Sequence, residues 1–216
     1  MDGNLLRYNK DITYTFLDCE TFNLNLSFKF NRPWQIALIE AKGDKIVSKK
    51  DIHINWKKDA PKLKIGDEAA RITHFNQAIH DQLALEPKDA FNAFWDDLHR
   101  TDYIIMHNGL RFDLYLLRGY AEYMGVPWKF IVNKIIDTKS IAQGIKMGIP
   151  YNPKQGNFIE YQYRMANSFV RGIKTSLITL AKEYGIVVDE SKLHDALYDL
   201  EINKQVWDKM KYQIEL

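Results

Sequence analysis

The sequence predicts an α/β domain built on a mixed sheet, and three features carry that reading. An apolar run near the N-terminus is followed by two further strand-like runs joined by a turn, the pattern of an antiparallel meander. From Pro87 onward, amphipathic helical spacing alternates with short apolar strands, which adds parallel strands to the meander. The 216 residues suit one such domain and are enough to bury a sizeable core.

Residues 12–17 are β-branched and aromatic and form the first strand, in which alternation puts Asp18 and Glu20 on one face and Cys19 on the other. A loop over residues 23–31 leads to a second strand at 33–40. Lys42-Gly43-Asp44 is a turn signal, and the chain returns as a third strand from Lys45. Residues 55–63, rich in Lys, Asp and Pro, read as a surface loop. Ala90, Phe91, Phe94, Trp95 and Leu98 recur at helical steps behind Pro87, a first-turn proline. Residues 103–106 are a short buried strand, and a helix from Phe112 stops at Gly125 and Pro127. A further strand is expected at 131–136, with Asp137-Thr138 capping the next helix. Ser176 and Gly185 bracket another helix, and the last runs from about His194 toward Tyr212.

Composition excludes several classes. Lys and Arg total 30 against 28 Asp and Glu, a net charge of +2, so any nucleic-acid site must come from local clustering. One cysteine forms no internal disulfide, and Met1-Asp2-Gly3-Asn4 lacks the basic-then-apolar shape of a signal peptide, which implies an intracellular protein. No apolar run approaches the ~20 residues that span a bilayer, so no membrane partner is expected.

Chemistry enters with Asp18 and Glu20. Two adjacent buried carboxylates need compensating positive charge, most simply a divalent cation; at a strand end they can equally reach water. Asp113 follows the strand that ends at His107-Asn108-Gly109, near the carboxyl edge of the sheet, and is either a ligand or an ordinary first-turn acid. His194 and Asp199 lie five apart, about 140° beyond a full turn of ideal helix, so they meet only if His194 precedes the first regular turn. A helix-capping or surface role is the other reading of that histidine.

Taken together, Asp18-x-Glu20-Thr21, His107-Asn108-x-x-x-Phe112-Asp113, Asp137-Thr138 and His194-Asp195-Ala196-Leu197-Tyr198-Asp199 resemble the DEDD exonuclease superfamily in its histidine-bearing, DnaQ-like form, DEDDh. The match runs from Tyr14 to about Trp207. Asp195 stands where the tyrosine-bearing branch would have its tyrosine. In detail the chain is similar to the nuclease domain of the exodeoxyribonuclease I family, through Phe22, Arg32-Pro33-x-Gln35, Ile72-Thr73-x-x-x-Gln77 and Asn108-x-x-Arg111-Phe112-Asp113. That family continues into domains that help enclose the strand, whereas this chain ends soon after the last motif.

The resemblance implies a ribonuclease H-like fold, a five-stranded mixed sheet flanked by helices, spanning residues 1–216 as one domain. It implies a 3′ to 5′ exonuclease using two Mg²⁺ or Mn²⁺ ions, with Asp18, Glu20, Asp113 and Asp199 as ligands and His194 as general base. Thr21 and Phe22 would receive the 3′-terminal nucleotide, and Phe22 or Phe112 would stack beside its base, although Phe112 also suits a core position. His107 and Asn108 would contact the terminal sugar or phosphate, or simply build the turn. The expected partner is single-stranded nucleic acid with a free 3′ end, DNA in preference to RNA. RNA trimming of the ribonuclease T or oligoribonuclease kind is the alternative, as is a polymerase-associated proofreading or binding module acting through a protein partner.

Residues 145–175 are the least family-like part. Lys146, Lys154, Arg164, Arg171 and Lys174 stand against Glu160 alone, interleaved with Tyr151, Phe158, Tyr161, Tyr163 and Phe169. This insertion reads either as a strand-binding flap or as an ordered segment covering the sheet edge with its aromatics.

Overall fold

A computed structural model describes residues 5–216; the reading of residues 1–4 as lacking a signal-peptide pattern lies outside them. The five strands β1 (Thr13–Thr21), β2 (Pro33–Lys42), β3 (Lys45–His53), β4 (Tyr103–Met106) and β5 (Ile135–Asp137) form one sheet in the order β3-β2-β1-β4-β5. The pairs β1/β2 and β2/β3 are antiparallel, whereas β1/β4 and β4/β5 are parallel. This is the expected meander with parallel strands added. Among the described residues, eight α-helices surround it: α1 (Asp67–Ile72), α2 (Gln77–Leu83), α3 (Pro87–Arg100), α4 (Asp113–Met124), α5 (Thr138–Lys146), α6 (Phe158–Ala166), α7 (Leu177–Glu183) and α8 (Ala196–Met210). Among the described residues, no helix is long and apolar enough to cross a membrane.

Strand alternation divides the core. Tyr14 and Phe16 of β1 join the layer formed by α5 to α8, while Leu17 and Cys19 join the layer formed with α3 and α4. Asp18 and Glu20 continue the parity of Tyr14 and Phe16, so they emerge on the α8 side of the sheet. Trp207 of α8, fully buried, packs edge-on against Tyr14 at 6.1 Å and fixes that helix over β1.

Two expectations need correction. Residues 55–63 are only partly a surface loop: Trp56 is 2% exposed, and its indole N–H donates to Pro33 O at 2.6 Å, anchoring the segment to the core. The strand expected at 131–136 is mostly a 3₁₀ helix over Lys129–Lys134, with β5 confined to Ile135–Asp137. The turn delivers Lys134 Nζ to the carbonyls of Leu98, His99 and Thr101, so a cation closes the C-terminus of α3.

The insertion follows the second of its two readings, an ordered segment over the sheet edge. It contains α6, a helix packed on α5, and Tyr151 and Tyr161 are core residues. Gly144 of α5 lies so close to the Tyr161 hydroxyl that a Cβ there would collide with it. Gln162, fully buried, serves the outer edge of β5: its side-chain oxygen accepts from Asp137 N at 2.6 Å and its amide donates to Ile135 O at 2.9 Å. An amide side chain thus replaces a sixth strand.

Candidate active site

Asp18 and Glu20 lie inside β1, which extends through Thr21, rather than beyond its end. A register shift between Glu20 and Thr21 bends the strand just past the pair. Asp113 opens α4 and is 3% exposed; its Oδ1 accepts from Cys19 N at 3.1 Å, tying the helix start to β1 between the two acids. Asp199 comes from the first turn of α8. Leu17, Asp18, His107, Leu177, Asp199, Leu200 and Asn203 line a small cleft of about 150 Å³ between the sheet and α8.

His194 meets the geometric condition set by its spacing. Asp195 is the N-cap of α8, its side chain accepting from Tyr198 N at 2.9 Å, so His194 precedes the helix. It holds a left-handed φ of 68°, unusual for a residue with a Cβ, and its N–H donates to Asp199 Oδ2 at 3.2 Å. The histidine is exposed, its backbone beside the acid five residues on.

Electrostatically the site is a cluster of carboxylates lacking counter-ions. Burial, reinforced by Asp113 and Asp199, pushes Asp18 well above the usual carboxylate range. Burial and then Asp18 push Glu20 up strongly, and burial raises Asp113 against the hydrogen bonds it accepts. Asp199 is raised to about 6, chiefly by burial and despite the His194 N–H. Among the described residues, no lysine, arginine or histidine forms an ion pair with any of the four.

The four acids fit divalent cations. Their donors are hard oxygens, and Asp199 Oδ1 is buried with no hydrogen-bond partner, an orphaned acceptor beside the cleft. Among the described residues, no three His, Cys, Asp or Glu side chains already close around a common point. Asp113 Oδ1 instead accepts from Cys19 N and Asp199 Oδ2 from His194 N.

The expected substrate residues divide. Thr21 Oγ1 donates to Asn23 O at 2.6 Å, and Phe22 N reaches Arg32 O at 3.4 Å. The Phe22 side chain faces a recess of about 410 Å³ shared with Trp56, Lys64, Phe75 and His80. Phe112 is half-buried against the α3/α4 layer. His107 Nδ1 lies 3.0 Å from Thr138 Oγ1, and the ring also bonds the Thr175 backbone. Burial, aided by Lys139, lowers its pKa to about 3, so it is neutral. Asn108 holds a left-handed φ of 69° at the mouth of the turn.

Sequence reasoning missed three supporting residues. Asp137 does more than cap α5: besides accepting from Ser140 N at 3.0 Å, its carboxylate takes Asn108 N at 3.2 Å and Leu110 N at 3.0 Å, building the turn that presents His107 and Asn108. Asn203, 1% exposed, lines the cleft one turn beyond Asp199 and accepts from Thr138 Oγ1 at 2.8 Å. Its signal was the four-residue spacing from Asp199 on one helix face. His74 Nε2 lies 3.0 Å from Leu193 O, bracing the segment before His194 from a different part of the chain.

Acids from the central strand and two helices gather near the carboxyl end of β4, on a five-stranded mixed sheet of ribonuclease H-like fold. The chain belongs to the RNase T exonuclease family, whose model matches residues 15–207. It is 25% identical over 210 residues to the PolC-type DNA polymerase III of Mycoplasma pneumoniae, a match covering 96% of this chain and 12% of the polymerase. Among solved structures it resembles E. coli exonuclease I in a zinc-bound complex with single-stranded DNA, with a TM-score of 0.68 at 18% identity, covering 91% of this chain and 40% of that one. Exonuclease X in complex with 5′-overhanging duplex DNA matches with a TM-score of 0.57 at 18% identity, covering 91% and 90% of the two chains. At these identities the structural likeness is one of fold.

Proposed function

We propose that this chain is a metal-dependent 3′ to 5′ exonuclease acting on single-stranded DNA and releasing nucleoside 5′-monophosphates. The observation that carries this reading is the convergence of Asp18, Glu20, Asp113 and Asp199 without a cationic side chain, with Asp199 Oδ1 left unpartnered. A pair of Mg²⁺ or Mn²⁺ ions bound there would neutralise the scissile phosphate, acidify the attacking water and stabilise the leaving 3′ oxygen.

Each residue then has a task. Asp18, central in the cluster, would serve both ions, and Glu20, Asp113 and Asp199 would complete the oxygen shell. His194, exposed beside Asp199, would take the proton from the attacking water, since an imidazole of pKa near ~6.5 suits neutral pH. Phe22 and its recess would take the terminal base, with Thr21 and Phe112 shaping the approach. His107 and Asn108 would meet the terminal sugar or phosphate from the opposite side. DNA is favoured over RNA because the exonuclease structures above were captured on DNA and the curated relative is a DNA polymerase.

The test is incubation of purified protein and Mg²⁺ with 5′-labelled single-stranded DNA, duplex DNA and RNA. A ladder shortening from the 3′ end, fastest on single-stranded DNA, is expected. Absence of cleavage, or release of the labelled end first, defeats the assignment; a ladder on RNA alone reassigns the sugar.

A further inference from the structure

Beside the acid cleft lies a larger cavity of about 210 Å³ between α5, α6 and the loop over residues 167–175. His107 lines the first and its neighbour Asn108 the second, so the two spaces adjoin across one peptide. Their chemistry is opposite. The cleft is walled by carboxylates, whereas the lining of the cavity contains Arg111 and Lys139 and no acid. Met165 and Val170 add apolar wall, and Phe169 stands at the rim 90% exposed.

Two of these features, Phe169 and Lys139, are costly or idle in a purely structural segment. A phenyl ring left almost wholly in water gains nothing from burial, and Lys139 makes no ion pair among the described residues. The loop carrying Phe169 is nonetheless anchored: Ile173 N donates to Val170 O at 3.2 Å, Ser168 Oγ to Arg164 O at 2.7 Å, and Lys146 Nζ binds both Lys174 O and Glu183. Arg111 Nη1 donates to Ala166 O at 3.0 Å, joining the end of α6 to the turn after β4. An exposed ring on a fixed base, next to an arginine, a lysine without an ion pair among the described residues and a polar slot, matches what a single strand offers, a stacking face and a phosphate at each step.

We propose that this cavity is a second nucleotide subsite, with Lys139 and Arg111 meeting a phosphate and Phe169 stacking on a base of the strand on the 5′ side of the scissile nucleotide. The proposal rests on the exonuclease reading for the direction of the strand, but not for its occurrence at this surface. It also narrows the role of the insertion. The helix α6 covers the sheet edge, and only the loop after it touches nucleic acid.

The experiment is fluorescence anisotropy of 5′-labelled dT10 in EDTA, where no hydrolysis occurs, with wild type, Phe169→Ala and Lys139→Gln. Both side chains lie outside the core, and unchanged melting temperatures confirm folding. Each substitution should weaken dT10 binding about tenfold, Phe169→Ala by loss of stacking and Lys139→Gln by loss of a phosphate contact. Lys139→Gln should also reduce the slope of log affinity against log salt by about one. Wild-type affinity in both variants, or no dT10 binding by the wild type, overturns the subsite. Hydrolysis of thymidine 5′-monophosphate p-nitrophenyl ester by the wild type with Mg²⁺ reports the exonuclease chemistry separately, because that ester carries only the terminal nucleotide.

Discussion

Asp18 sits where elementary electrostatics forbids a bare carboxylate to be comfortable. It is flanked by Glu20 on its own strand and faced by Asp113 and Asp199, and among the described residues no basic side chain pairs with it. Replacing it removes a repelling charge and a proposed ligand together. Asp18→Asn should therefore raise the melting temperature of metal-free protein at pH 8 while abolishing Mg²⁺-dependent cleavage; retained turnover in the purified variant would displace Asp18 from the metal set. His194→Ala should lower the rate by roughly 10² to 10⁴ with Mg²⁺ still binding, as expected for loss of a general base. The same cluster sets a pH dependence. Asp199 is raised from 3.8 to about 6, so the folded chain holds a proton that the unfolded chain has already released across that interval. The contribution of these four acids to the stability of the metal-free protein is thus fully present below pH 4, falls through about pH 6, and keeps falling as Asp18, Glu20 and Asp113 ionise. Thermal melts from pH 4 to 8 should show this decline in EDTA and a much flatter profile in Mg²⁺. A metal-free protein that gains stability over that range would contradict the raised carboxylates.

The helices show how local pieces were turned into a site. The α8 N-terminus is set by the Asp195 cap, which leaves His194 outside the helix and Asp199 inside it, and Trp207 holds the same helix to β1. Helix α6 does its work through one side chain. Gln162 supplies the donor and acceptor that the outer edge of β5 needs, within the segment that also positions Asp137 under the His107 turn. Gln162→Ala leaves a buried N–H and a buried carbonyl unpaired and should cost about 1–3 kcal/mol. Amide hydrogen exchange at Asp137 should accelerate with it. Native protection there would show that water or a shifted strand restores the bonds.

In the molecule as a whole, the sheet separates two kinds of surface. One rim near the carboxyl end of β4 carries the acid cleft, with an aromatic recess at Phe22 on one side and the basic cavity at Lys139 on the other. With a net charge of only +2, the proposed hold on a nucleic acid rests on locally placed cations such as Lys139 and Arg111 rather than on excess charge. If divalent ions complete the cleft, EDTA should silence hydrolysis and added Mg²⁺ restore it in the same sample. Cleavage at an undiminished rate in EDTA would require another chemistry for this rim.

Much of this was legible in the amino-acid order, because short-range physics governs it. Alternation in β1 put Asp18 and Glu20 on one face, Pro87 and Gly125 marked helix ends, and the five-residue interval from His194 to Asp199 required a histidine outside the helix. Other features depend on partners far along the chain and leave little local trace. Trp56 looked like part of a surface loop until Pro33 O supplied a partner, Tyr161 suited either a strand-binding or an edge-covering segment until α5 buried it, and Gln162 carried no signal until β5 met it. Asn203 and Asp137 became supports of the cleft only when Thr138 and the turn after β4 met them. Sequence by itself determined the meander, the strand-and-helix alternation after it and which acids to propose, since periodicity, caps and side-chain chemistry act over a few residues, whereas α1, α2 and α6 came only from the structure. Tertiary structure alone decided which aromatics are core, which cations stay unpaired and which carboxylate oxygen lacks a partner, because burial and pairing belong to groups that the chain brings together only on folding.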